Sequence, residues 1–121
     1  EKKTETLLKS MDMWECRDRH PFSLSGGQMQ RLAVVVSEIC GKELLVFDEP
    51  TSGLDLKSME EVGALTRSLA TQGKVLLIIT HDIEFMMRIC TRILFIRDGE
   101  IVKDLSGGQK EKIVRLLRGE E

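Results

Sequence analysis

The chain has 121 residues, of which 41% are hydrophobic and 31% charged, with a formal net charge of −2. That is enough for one ordinary domain with a real core, and the composition excludes a disordered tail. The near-neutral charge gives no global reason to expect nucleic acid or an anionic membrane surface as partner.

Leu7, Leu8, Met11 and Trp14 recur at helical spacing and predict an amphipathic helix from about Thr4 to Asp18. Pro21 interrupts it, making His20-Pro21-Phe22-Ser23 a connector. A second helix is expected from Ser25 to the stop at Gly41, with Met29, Leu32, Val36 and Ile39 on its inner face. Leu44 to Phe47 reads as a short buried strand, followed by a loop from Glu49 to Asp55. A third helix carries Leu56, Met59, Val62, Leu65 and Leu69 inward and ends at Gly73. Val75 to Ile79 is a second apolar strand. A short helix marked by Ile83, Met86, Met87 and Cys90 follows, then a strand from Ile93 to Ile96. Asp98-Gly99 signals a hairpin turn, with Glu100 to Lys103 returning antiparallel and a last helix over about Lys110 to Arg118.

Cys16, Cys40 and Cys90 lack metal-ligand spacing and predict buried, reduced thiols. The apolar runs are too short to span a bilayer, and Glu1-Lys2-Lys3-Thr4-Glu5 reads as the start of a helix and not as a signal peptide. A soluble protein is expected. Alternating strands and amphipathic helices predict an α/β layer structure, a mainly parallel sheet with helices on both faces and a C-terminal antiparallel hairpin. In such sheets ligands bind beyond the C-terminal strand ends. Asp48-Glu49 and His81 both fall there.

Four short segments carry chemistry. Leu24-Ser25-Gly26-Gly27-Gln28 starts a helix, where backbone N–H groups and the helix dipole favour an anion such as phosphate. Ser25 and Gln28 alone make an ordinary capping box; Gly26 and Gly27 cost stability in a first turn and suit a backbone that a ligand approaches. Asp48-Glu49 ends an apolar strand with two carboxylates, which on an extended chain point oppositely and can serve different partners. Thr51-Ser52-Gly53-Leu54-Asp55 can cap the third helix. His81 follows the second apolar strand. Leu105-Ser106-Gly107-Gly108-Gln109 repeats the first pentamer and predicts another capped helix start.

In this order, over about Pro21 to Asp104, the segments resemble the ATP-binding-cassette (ABC) ATPases. The resemblance implies a P-loop NTPase-like partial core with ATP and Mg²⁺ as cofactors. It makes residues 1–41 part of the helical subdomain with its signature helix, 42–105 the C-terminal half of the ATPase core, and 106–121 a C-terminal helix. Ser25, Gly26, Gly27 and Gln28 become the signature that contacts the γ-phosphate of ATP held by the opposite subunit. Asp48 becomes the Walker B aspartate for Mg²⁺, Glu49 the general base, His81 the switch histidine, and Asp55 part of the D-loop between subunits. The implied partners are a second nucleotide-binding subunit, identical or not, and a transmembrane transporter subunit, with no nucleic acid. The implied location is cytoplasmic, peripheral to the inner or plasma membrane. The signature's flanks look most like the import-type and energy-coupling-factor branch.

No Gly-x-x-x-x-Gly-Lys-Ser/Thr phosphate loop occurs in the 121 residues. In the family's sheet its strand lies between Val75–Ile79 and Ile93–Ile96, so its absence is expected to expose two apolar strand edges. The expectation is therefore the C-terminal portion of an ABC transporter ATPase subunit, inactive by itself. The rivals are a non-catalytic half-domain that pairs with an intact ATPase and an ABC ATPase with a soluble, non-transport role.

Overall fold

The computed structural model describes residues 1–106 and 108–120. It divides into two compact units, Glu1–His81 and Asp82–Glu121.

The first unit opens with helix α1, Lys2–Ser10. It is eight residues shorter at its end than the spacing of apolar residues predicts. Asp12 takes φ 56°, and Met13 N–H returns to the Leu8 carbonyl at 2.7 Å, closing the helix and redirecting the chain. Met13 is thereby buried at 2% exposure, and Trp14 begins a 3₁₀ turn, Trp14–Cys16. Lys9 and Arg17 lie over the Trp14 ring at 5.2 and 4.3 Å. The connector is a second 3₁₀ turn, Pro21–Ser23, capped by His20 Nδ1, which accepts from Phe22 N–H.

Helix α2, Gly26–Ile39, starts at the Ser25 cap and buries Gly27, Val34, Val35 and Ser37. The face expected to point inward is the wrong one. Met29, Val36 and Ile39 are 40%, 51% and 43% exposed. The helix is apolar around most of its C-terminal half, so periodicity alone does not choose a face; contact with α1 and with the next helix does. Cys40, just past the end, is exposed, and Cys16 and Cys90 are half-buried, so the expectation of three buried thiols fails.

Strand β1, Leu44–Asp48, pairs in parallel with β2, Val75–Ile79, in the register Leu44 to Val75 through Asp48 to Ile79. Between them runs α3, Leu56–Thr71, burying Val62, Gly63, Thr66 and Leu69. Leu56, expected inside, is exposed because it is the first residue beyond the Asp55 cap. Val34 of α2, Leu45 and Phe47 of β1 and Leu69 of α3 form the core, with Met11, Leu65, Leu76 and Ile78 against them. Only one face of the strand pair is covered in this way. Leu44, Val46, Val75, Leu77 and Ile79 on the other face are all at least half exposed.

The second unit holds α4, Ile83–Ile89, capped by Asp82. Strands β3, Arg92–Arg97, and β4, Glu100–Ser106, pair antiparallel with a register shift between Phe95 and Ile96. Asp98 and Gly99 both take positive φ, 52° and 82°, as a two-residue turn of this hand requires. Helix α5, Lys110–Leu117, packs Ile113 against Met86, Ile93 and Leu105. The repeated pentamer is not a second helix start of the first kind. Leu105 and Ser106 belong to β4, Gln109 precedes α5 without a side-chain cap, and Gly107 lies outside the described residues. The strand pairing overrides the local capping pattern.

Candidate functional site

The parallel register places the residues after Asp48 and Ile79 at one end of the strand pair. Glu49 N–H donates to the Ile79 carbonyl at 2.7 Å, one step beyond the regular ladder. Glu49 itself takes φ 49°, so it is not the extended residue that the sequence suggests. A glutamate in left-handed backbone is uncommon and is held by its surroundings. Here the Ile79 carbonyl fixes its N–H, and its own carbonyl accepts from Ser52 N–H at 3.1 Å.

From that backbone Glu49 Oε1 reaches His81 Nδ1 at 2.7 Å. The carboxylate is about two-thirds buried, whereas the imidazole is 87% exposed. A carboxylate that accepts in this contact requires the hydrogen on Nδ1, which corresponds to one tautomer of the imidazole. Asp48, the last residue of β1, is exposed beside this pair.

The loop after Glu49 is a compact turn. Pro50 and Thr51 are buried, Leu54 N–H donates to the Thr51 carbonyl at 3.2 Å, and Gly53 takes φ 71°. The loop ends at Asp55, whose Oδ1 accepts from Ser58 N–H at 2.8 Å and caps α3. The Ser58 hydroxyl first, and then its N–H, hold the Asp55 carboxyl below the usual aspartate range.

At the start of α2 both arms of the capping box are made. Gln28 N–H donates to Ser25 Oγ at 3.2 Å, and Ser25 N–H donates to Gln28 Oε1 at 2.9 Å. Gln28 Nε2 donates to Cys16 Sγ at 3.4 Å, tying the helix start to the 3₁₀ turn. A methyl group at Gly26 would overlap Leu54 Cδ2, so with any larger residue here the leucine side chain would have to move aside. A methyl at Gly27 would sit 3.8 Å from Glu61 Oε2 and 3.9 Å from Ser58 Cβ, ordinary contact distances. Arg31 of α2 pairs with Glu61 of α3.

Residues 1–52 match the family model described as ABC transporter. A putative ABC transporter ATP-binding protein of Treponema denticola is 52% identical over 90% of this chain and 22% of its own length. The arginine transport ATP-binding protein ArtM of Bacillus subtilis is 37% identical over 92% of this chain and 45% of its own. Among solved structures, cbiO1 of Clostridium perfringens, part of the ABC transporter complex cbiONQ, superposes with a TM-score of 0.77. Its identity is 25%, over 97% of this chain and 46% of cbiO1.

Residues 1–52 carry the ABC transporter family match, and the chain is similar along most of its length to ABC transporter ATP-binding proteins. It spans under half the length of these curated relatives. Its α/β architecture, with a parallel pair and an antiparallel hairpin, is that of the ABC cassettes it superposes on. No helix among the described residues is long and apolar enough to cross a membrane.

Of the residues singled out in the sequence, the structure joins Glu49 to His81, and Asp48 precedes Glu49 as the last residue of β1. Ser25, Gly26, Gly27 and Gln28 form the first turn of α2 and its cap, and Asp55 caps α3. Leu54, Cys16 and the Arg31–Glu61 pair were not foreseen. Leu54 lies inside a motif quoted whole, so its position was visible; its contact with Gly26 is between loops and has no periodic signal.

No group of three or more His, Cys, Asp or Glu side chains among the described residues could hold a metal ion. A single carboxylate such as Asp48 does not build a metal cage. It does suit Mg²⁺, which keeps several waters and takes one or two carboxylates together with nucleotide phosphates.

Proposed function

We propose that this chain is the C-terminal part of an ABC transporter nucleotide-binding subunit. The whole subunit would bind and hydrolyse ATP as a dimer, driving transport through a membrane-embedded partner. The observation that carries this reading is the Glu49–His81 contact of 2.7 Å at the end of two parallel strands. It joins two motif residues 32 positions apart in sequence, at the edge where α/β sheets bind ligands.

In this mechanism Asp48 would hold Mg²⁺. The ion supplies charge neutralisation for the phosphate oxygens when bound. Glu49 accepts a hydrogen bond from the attacking water and draws its proton. The strained backbone at Glu49 aims the carboxylate off the strand and toward that water. His81 steadies the carboxylate through Nδ1 and faces the γ-phosphate. Ser25, Gly26, Gly27 and Gln28 act across the dimer on ATP held by the partner, where the first turn of α2 presents backbone N–H groups and a positive dipole end. Asp55 keeps the intersubunit loop in shape by capping α3.

Residues 1–41 then belong to the helical subdomain, 42–105 to the C-terminal half of the ATPase core, and 106–121 to a terminal helix. The import-type branch is favoured by similarity to ArtM, named for arginine transport. The dimer and the membrane partner are favoured by cbiO1, described as part of a transporter complex. The subunit would sit on the cytoplasmic side of the inner or plasma membrane, held there by that partner.

Positioning the triphosphate requires a phosphate loop that these 121 residues lack, so the chain alone should not turn over ATP. The test compares ATP hydrolysis by the full-length subunit, by its Glu49→Gln variant and by the 121-residue chain. Full activity is expected of the first, a small residual rate of the second and none of the third. Equal activity of Glu49→Gln and the unaltered subunit would refute the role of Glu49, and turnover by the short chain would refute its dependence on the missing half.

A further inference from the structure

The geometry points to Leu54 as a positioning residue for Glu49, acting through its seat on Gly26 at the first turn of α2. This rests on the reading of Glu49 as the general base. Glu49 leaves β1 with φ 49°, a conformation that its own side chain does not favour. One end of the following turn is fixed by hydrogen bonds, Glu49 N–H to Ile79 and Ser52 N–H to Glu49. At its other end, Leu54 N–H closes on Thr51, and the half-buried Leu54 side chain lies so close over Gly26 that a Cβ there would push its Cδ2 methyl aside.

Helix α2 is in turn held at this point. The Ser25–Gln28 capping box fixes its start, and the Arg31–Glu61 pair joins it to α3, whose cap, Asp55, directly follows Leu54. The turn from Glu49 to Asp55 is therefore clamped between a strand end and a helix start. Removing the leucine side chain releases the clamp at the helix end only. The backbone at Glu49 then has fewer constraints holding it in left-handed geometry, and its carboxylate loses its fixed aim. Glycine at position 26 thus has a role within its own chain, to receive Leu54, besides any contact with nucleotide.

The experiment uses the full-length subunit assembled with its partner. Leu54→Ala is expected to lower kcat about tenfold with KM for ATP changed by less than about twofold, the pattern of a group that matters in the chemical step and not in ground-state binding. Leu54→Met, which can still reach Gly26, should recover at least about half of the activity. In the Glu49→Gln background, Leu54→Ala should cost nothing further, because the residue it positions is already gone. If Leu54→Ala lowers the melting temperature enough to cloud the comparison, Leu54→Val keeps a branched side chain and should show about a threefold loss of kcat.

A kcat for Leu54→Ala or Leu54→Val within about twofold of the unaltered protein, with Glu49→Gln reduced to a residual rate, overturns this inference and leaves the function intact. So does a loss that persists undiminished in the Glu49→Gln background. A Glu49→Gln variant as active as the unaltered protein overturns the role of Glu49, and the inference falls with it.

Discussion

His81 Nδ1 lies 2.7 Å from Glu49 Oε1 because the two strands that deliver them run parallel and in register, with Asp48 opposite Ile79. Each residue follows its strand's last paired position by one or two steps. The imidazole is 87% exposed and contributes almost nothing to the core. His81→Ala should therefore change unfolding free energy by no more than about 0.5 kcal/mol. Its effect should appear in ATP turnover of the full-length subunit. The double variant with Glu49→Gln should be no slower than Glu49→Gln alone, since residues that act as a unit do not add. Strict additivity in steady-state rates would show that the contact has no catalytic meaning.

The capping box at Ser25 separates a structural role from a binding role. Ser25→Ala should destabilise the protein by about 1 kcal/mol through loss of the bond to Gln28 N–H, measured by denaturant unfolding. Ser25→Asp caps equally well and should restore that stability. It also places a negative charge where the proposal puts a phosphate, so ATP-dependent dimerisation should be lost. Full dimerisation of Ser25→Asp in sedimentation experiments would argue that the helix start never meets the nucleotide.

Asp55 gives a pH dependence of definite sign. The Ser58 hydroxyl and N–H lower its folded pKa, so the charged form is the one that folding favours. The cap is at full strength above the ordinary aspartate value of about 4 and is lost as pH falls through the lower folded value. Asparagine caps a helix without titrating. Asp55→Asn should accordingly flatten the acid limb of a stability-against-pH curve below about pH 4, with little change at neutral pH. An acid limb of unchanged steepness would remove Asp55 as a contributor.

Lys74, which precedes β2, reaches back to the end of α2. Its Nζ lies 3.0 Å from Glu38 Oε1 and donates to the Lys42 carbonyl at 2.7 Å, with the lysine side chain 15% and the glutamate 27% exposed. The contact with Glu38 is a close charge pair without the alignment of a hydrogen bond. Lys74→Met leaves a mostly buried carboxylate and a carbonyl without their cation, and should cost about 1–3 kcal/mol. Adding Glu38→Leu should return part of it. A Lys74→Met protein as stable as the original, by thermal unfolding, would show the pair to be without consequence.

The uncovered face of the strand pair makes a prediction about the 121-residue chain itself. Val46 is 56% and Leu77 51% exposed, adjacent across the register from one another, with Leu44, Val75 and Ile79 around them. An apolar patch of this kind promotes association. The isolated chain should self-associate at micromolar concentration, and Val46→Glu with Leu77→Lys should shift it toward monomer in analytical ultracentrifugation. A monodisperse unaltered chain would contradict this.

Much of the site was legible from local chemistry. The Ser25 cap, the acids at the end of β1, the Asp55 cap and the Asp98-Gly99 turn each follow from a residue type whose preferred backbone or hydrogen bond acts within four positions. The errors arose where distant parts of the chain decide. The helical spacing of Met11 and Trp14 runs straight across the break that Asp12 makes. Met29, Val36 and Ile39 are as apolar as Val34 and Val35, and only the placement of α1 and α3 selects which of them is buried. The pentamer Leu105–Gln109 has the composition of Leu24–Gln28, yet its first two residues continue a strand because Ile93 and Arg92 offer pairing partners.

Family, motif order and the chemical character of each candidate residue were determined by the amino-acid sequence, because capping, charge and turn preferences are short-range. Three things required the tertiary structure: the meeting of Glu49 with His81, the left-handed backbone that aims Glu49, and the seating of Leu54 on Gly26. Each depends on strand register or helix packing, which bring together residues whose separation along the chain carries no periodic signal.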